Sequence, residues 1–169
     1  VFTATSATAA DFQAGGGGKV LQVLSTTKST VSSVSTNSDS FVDVTGMSVA
    51  ITPSSNSSKI LVQASVFYSL ADNTYGSLCG LRIARGSTGI GIGGQGYTSS
   101  TIVGHDDTSS LFFATVPLLV LDSPSTTSAI TYKIQVKNSI GGGKTFYVNG
   151  RKDGTNYGAS TITVMEIGA

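Results

Sequence analysis

The stretch from Phe41 to Val62, FVDVTGMSVAITPSSNSSKILV, sets an apolar run, a Pro-Ser-Asn loop and a second apolar run end to end. That order permits little besides two strands joined by a surface turn. It returns between Leu111 and Val136, LFFATVPLLVLDSPSTTSAITYKIQV, where a Ser-Pro-Ser-Thr-Thr connector separates two more runs. No segment sustains a helical period, so the chain reads as all-β.

Strands are expected at Lys19–Val31, Phe41–Thr52, Lys59–Leu70, Leu78–Arg85, Leu111–Leu121, Ala129–Asn138, Lys144–Asn149 and Ser160–Ile167. The cleanest alternation sets Ile130, Tyr132, Ile134 and Val136 against Thr131, Lys133, Gln135 and Lys137, so the even positions face a core and the odd ones face water. Ile60, Val62, Ala64 and Val66 form a second even-numbered apolar face. Phe41–Thr52 changes phase, from Val42 and Val44 to Met47, Val49 and Ile51, and Gly46 at the change predicts a bulge or bend.

Leu111–Leu121 is apolar on both faces, with Phe112, Ala114, Val116, Leu118 and Val120 opposed by Leu111, Phe113, Leu119 and Leu121. Both faces need cover, either from a loop over a central strand or from another subunit. Pro117 removes a ladder donor and disfavours a fully paired interior position, which favours the subunit. Phe112, Phe113, Val116, Leu118 and Leu119 are therefore the candidate interface.

The 169 residues suit one domain, a sandwich spanning 19–169. Ahead of it, Val1–Gly18 is small, polar and aperiodic, and ends in four glycines that make a hinge. Two readings of this arm stay open, a disordered tail or an extended segment ordered by a neighbour. The second is preferred, with Phe2 and Phe12 as its anchors. The glycine-dense segments Gly86–Gly96 and Asn138–Gly143 read as adaptable loops, the first also as a weak edge strand carrying Ile90 and Ile92.

Charged residues make up 11% of the chain, far below the usual quarter, while Ser and Thr exceed a quarter of it. Such a surface meets little repulsion when packed against copies of itself or another protein. The net charge is +1 and the ten Lys and Arg are scattered, which argues against nucleic acid as a partner. No apolar stretch approaches a membrane span and the N-terminus lacks a secretory pattern, so synthesis in the cytoplasm without membrane insertion is expected. Cys79 is alone between Leu78 and Leu81 and reads as a small buried hydrophobe.

Chemistry-bearing motifs are weak. Gly89, Gly91 and Gly94 match a dinucleotide fingerprint in spacing, but no helix-forming run follows them. Gly143-Lys144-Thr145 lacks the earlier glycine of a phosphate loop. One histidine, His105, and one cysteine cannot furnish a zinc site, and Asp106 and Asp107 beside that histidine match no calcium loop. The acids are dispersed, mostly in expected loops, and no pair can be nominated for glycoside hydrolysis. No catalytic residue, cofactor or metal is therefore expected. Tyr97 and Tyr157, beside the glycine-rich loops, are the candidate binding residues, offering rings on which a sugar can stack.

Several phrases carry a resemblance: Lys19-Val-Leu-Gln-Val, Phe41-Val-Asp-Val-Thr-Gly, Ile51-Thr-Pro-Ser-Ser with Ser58-Lys-Ile-Leu-Val, Leu81-Arg-Ile-Ala-Arg-Gly-Ser-Thr, Leu121-Asp-Ser-Pro and the closing Ser160-Thr-Ile-Thr-Val-Met-Glu-Ile-Gly-Ala. Together they resemble a β-sandwich module of tailed-bacteriophage virion proteins, of the marine phage type, over Lys19 to Ala169. The resemblance implies a non-enzymatic component of the virion surface that assembles as a homotrimer. Its fold is expected to be an antiparallel jelly-roll-like β-sandwich of about eight strands with the arm as anchor. With only the short arm ahead of it, the sandwich is expected to be a capsid decoration, cement or head-fibre protein bound to the major capsid protein. A tail-fibre or tail-spike tip bound to a tail or adaptor protein ranks second, and that order reverses in a longer protein.

Overall fold

Alternation along Ile130–Asn138 and Lys59–Leu70 becomes two facing sheets because each strand has one apolar side to hide. The structure, a computed structural model, describes residues 3–6, 9–11, 19–36, 40–70, 79–98, 112–138, 144–151 and 153–168. Its strands are β1 (Thr3–Ser6), β2 (Ala9–Asp11), β3 (Val20–Lys28), β4 (Ser32–Thr36), β5 (Val42–Ile51), β6 (Lys59–Leu70), β7 (Cys79–Arg85), β8 (Thr88–Ile90), β9 (Phe112–Asp122), β10 (Ile130–Asn138), β11 (Lys144–Val148) and β12 (Ser160–Ile167). All eight expected strands are present, and the short β8 is the edge strand foreseen in Gly86–Gly96. In the described part of 1–18, β1 and β2 pair with each other antiparallel.

The pairings nest. β7 pairs β8, β6 pairs β9, β5 pairs β10 and β3 pairs β12, all antiparallel, as if one long hairpin had been folded over. β12 also pairs β6, and β10 also pairs β7. The result is a sheet in the order β3-β12-β6-β9 facing one in the order β5-β10-β7-β8, which is the jelly roll.

Two lines of the larger sheet are broken. β11 and β12 follow one another along the same side of β6, opposite Tyr68–Leu70 and Lys59–Ser65, and β4 and β3 lie beyond them in the same way. Asn149 fills the break. Its backbone N–H donates to Phe67 O, Ser160 Oγ takes the Phe67 N–H, and Ser160 donates back to Asn149 Oδ1 at 2.6 Å. The Asn149 amide reaches Lys28 O and Thr30 O in the neighbouring gap. No backbone group of Phe67 is thus left unpaired where the ladder parts.

The bulge expected at Gly46 is present. Residues 44–47 of β5 oppose Ile134 alone on β10, and Gly46 takes φ +81°, a conformation side chains rarely adopt. The three extra residues, an odd number, carry Met47, Val49 and Ile51 back to the core side. Between the sheets, Ile60, Val62 and Val66 of β6 meet Ile134 and Val136 of β10 and Ile162 and Val164 of β12, all sealed from solvent. Each such aliphatic side chain contributes about 1.5–3 kcal/mol through burial.

Val116 and Leu118 belong to this core, which corrects their place in the expected interface. Even positions on β9 lie opposite even positions on β6, so both point between the sheets, whereas Leu119 and Leu121 point outward. Nor is β9 central. Among the described residues it pairs only with β6, and an edge strand is where Pro117 loses least by lacking an N–H.

Candidate functional site

Antiparallel nesting sorts the connections by end. The short turns 52–58, 86–87 and 123–129 join strands at one end of the sandwich, and the strand ends at Thr36, Leu70, Cys79, Phe112, Asn138 and Lys144 lie at the other. These form a short-turn end and a long-connection end.

Polar ties gather at the short-turn end. Glu166 closes the inward face of β12 after Ile162 and Val164 and is fully buried. Its carboxylate accepts from the Ser54 N–H at 2.7 Å, from Ser54 Oγ at 2.6 Å and from Gln22 Nε2 at 2.6 Å. Burial pushes this acid up, but the Ser54 and Gln22 donors outweigh it and hold it down at about 2. Gln22 also donates to Thr52 O, so one carboxylate fastens the 52–58 turn to β12 and β3. Close by, Asp122 at the end of β9 receives Arg85 from β7 at 3.0 Å and the Tyr132 hydroxyl from β10 at 2.7 Å, pinning one sheet to the other. Burial, then the bond to Asp122, drives the Tyr132 phenol far above its ordinary value.

Toward the long-connection end, the outer face of the smaller sheet carries an aromatic and cationic cluster. The Arg82 guanidinium lies 3.8 Å over the Phe41 ring, Lys137 stands 5.5 Å from Phe41 and 5.6 Å from Tyr97, and Tyr97 meets Phe41 edge to face at 5.6 Å. Arg82 Nε donates to Gln135, whose amide donates to Asp43, and Lys133 meets the same carboxylate at 2.6 Å. Partial burial pushes Asp43 up, and the bonds from Lys133 and Gln135 more than reverse it, leaving it below the usual carboxylate range.

Tyr97 does not stand free in a loop. Thr98 continues the edge of β7, its Oγ1 accepting the Ile83 N–H and its own N–H donating to Leu81 O, which lays the Tyr97 ring on Gly80. A Cβ at Gly80 would sit 2.0 Å from that ring, so the contact requires glycine. Tyr157, half exposed, tilts against Phe113 at 5.1 Å on the outer face of the other sheet, and Phe113 stacks on Phe67. The two tyrosines therefore lie on opposite sheets and do not form one surface. Phe2, Phe12, His105, Asp106 and Asp107 lie outside the described residues, as do the side chains of Cys79 and Phe112.

This arrangement positions and fastens but holds no reacting pair. Among the described residues, the carboxylates of Asp43, Asp122, Asp153 and Glu166 are each engaged by a cation or by hydrogen-bond donors. No three His, Cys, Asp or Glu side chains converge there as metal ligands would. Gly91 takes φ +56° in the turn after β8, and among the described residues that follow it, to Thr98, there is no helix to receive a phosphate. Sequence reasoning missed Glu166, although its parity with Ile162 and Val164 on β12 marked it as inward.

No family model matches the chain, and no curated protein does. Solved structures of similar shape include that of infectious bursal disease virus Gt strain, at 15% identity and TM-score 0.46, covering 95% of this chain and 40% of that one. The T13 viral particle of the same virus gives 14% and 0.41 over 88% and 36%, and the VP2 subviral particle 13% and 0.41 over 86% and 38%. The chain thus spans about two-fifths of the length of these proteins. Its own strand order, independent of these likenesses, makes it a jelly roll of antiparallel strands.

Proposed function

We propose that the chain is a non-enzymatic structural protein of a phage virion, a trimeric capsid decoration or head-fibre protein held to the major capsid protein through residues 1–18. The observation that carries this reading is the nested strand order, an arrangement that capsid and lectin domains use to build self-contained modules. Fold alone leaves function open. Two further features support the choice: the described carboxylates all serve as ties, and the phrase set resembles tailed-phage virion modules. A surface rich in hydroxyls and poor in charge also suits close packing on a particle. Immunogold labelling of intact virions with antibody against the chain tests the address. Gold on heads is expected, and gold confined to tails would overturn the decoration role.

The second reading is a tail-fibre or spike tip that contacts a host receptor or glycan. The Phe41, Tyr97, Arg82 and Lys137 cluster toward the long-connection end favours it. A glycan array combined with competition of phage adsorption by the purified protein tests this. Silence in both would remove the reading.

A further inference from the structure

Odd positions of β9, β6, β12 and β3 face outward from the larger sheet, and the cross-strand registers align Leu121, Leu61, Met165 and Val23 in one row across all four strands. Leu119 extends this row along β9 and Leu21 extends it along β3. Leu119 is 64% exposed, Leu121 54%, Val23 52% and Leu21 48%. The row above it, Leu119, Gln63, Thr163 and Ser25, is uncharged, and Lys59 at the margin is the only charged side chain among the described outward positions of these strands. A sheet with one wet face ordinarily alternates apolar inside with polar outside. An outward apolar band on the order of 400 Å² is the size at which a patch on a monomer marks an interaction site.

We propose that this face is a docking surface whose occupant is a second copy of the same chain. The inference deepens the virion-assembly reading and rests on it for its biological setting. Charge argues for copies: a face with almost no charge offers a charged partner no counter-ion, but the like faces of the trimer's subunits gather about its threefold axis without repulsion. Size argues the same way. Four strands about 4.8 Å apart, paired over about seven residues at about 3.4 Å each, make a flat face of roughly 19 by 24 Å. That is about 460 Å² in projection, and the relief of its side chains brings it to roughly the 600 Å² per partner at the low end of specific interfaces. The free edge of β9 is blunted by Pro117 in mid-strand, which disfavours lateral strand addition and leaves packing face to face. The surface differs from the one expected from sequence, because Leu119 stays in it while Val116 and Leu118 give way to Leu121, Leu61, Met165 and Val23.

Sedimentation velocity over a concentration series, on the full chain, tests the proposal with three variants. These are Leu119→Glu with Leu121→Glu on β9, Val23→Glu on β3, and Ile92→Glu, an exposed position after β8, as control. The wild type is expected to sediment as an oligomer. Both face variants should associate about 100-fold more weakly or worse, since each drives a carboxylate into an apolar contact, and the control should match wild type. Circular dichroism melting identifies any variant that fails to fold, and the two face variants lie on different strands so that either alone can decide. A monomeric wild type would assign the face to a different protein and overturn the proposal. So would folded face variants that associate like wild type. A monomer in solution with gold on virions removes this surface and leaves the virion reading standing, and association with unlabelled virions does the reverse.

Discussion

Replacing Glu166 by Gln isolates the charge in the clamp while keeping its shape. The carboxamide oxygen can still accept both Ser54 donors, but as a neutral acceptor, and each such bond loses about 1 kcal/mol relative to its charge-assisted form. The other atom becomes an NH₂ group facing Gln22 Nε2 where an acceptor stood 2.6 Å away. Gln22 relieves that clash by turning its amide over, which takes its donor away from Thr52 O. That removes a further bond of about 1 kcal/mol, for a total near 3 kcal/mol. In urea, with a slope of about 2–3 kcal/mol per molar, the unfolding midpoint should fall by about 1 M at pH 7. The pH dependence separates charge from shape. Glu166 is held from its ordinary 4.5 down to about 2, so the clamp's contribution is complete above pH 4.5 and declines as pH falls toward 2. The gap between wild type and Glu166→Gln should therefore narrow over that window. A constant gap from pH 7 to pH 2, or no midpoint shift at pH 7, would refute the reasoning.

Asn149→Ala removes both donors to the β3–β4 gap and the acceptor for Ser160, and puts Ala at φ +66°; a loss of about 3–4 kcal/mol is expected in thermal or urea unfolding. Asn149→Gly, which relieves the backbone alone, should recover about 1 kcal/mol of that. Leu118→Ala should cost about 2–5 kcal/mol by opening a cavity between the sheets. Gly80→Ala should lift the Tyr97 ring off β7 at a stability cost of about 1 kcal/mol, read as a changed tyrosine signal in near-ultraviolet circular dichroism. In a spectrophotometric alkaline titration, Tyr132 should resist ionisation until the protein unfolds, because burial and then Asp122 disfavour its phenolate.

What could be read in the sequence was whatever short-range parity encodes. The even faces of β6 and β10 and the phase change at Gly46 all follow from side chains that alternate along one strand. The same parity places Val116 and Leu118 opposite Leu119, yet grouping Leu111–Leu121 by hydrophobicity alone merged its two faces. β4 escaped because Ser-Ser-Val-Ser-Thr shows a single apolar side chain, Val34, and its strand character comes from pairing with β11 far along the chain. Tyr97 on Gly80 and Ser54 on Glu166 were out of reach for a like reason, being contacts between segments that nothing local brings together.

The adjacency of β3 and β12 has a geometric consequence. β3 starts and β12 finishes at the short-turn end, and the Gly168 N–H donates to Lys19 O at 2.8 Å, so the sandwich is entered and left through one corner. Any tether there, whether before Lys19 or after Gly168, suspends the module like a pendant. The far pole then points outward at about 40 Å, the length of the twelve-residue β6. Segments at that pole can lengthen or change without disturbing either the register of the strands or the point of attachment.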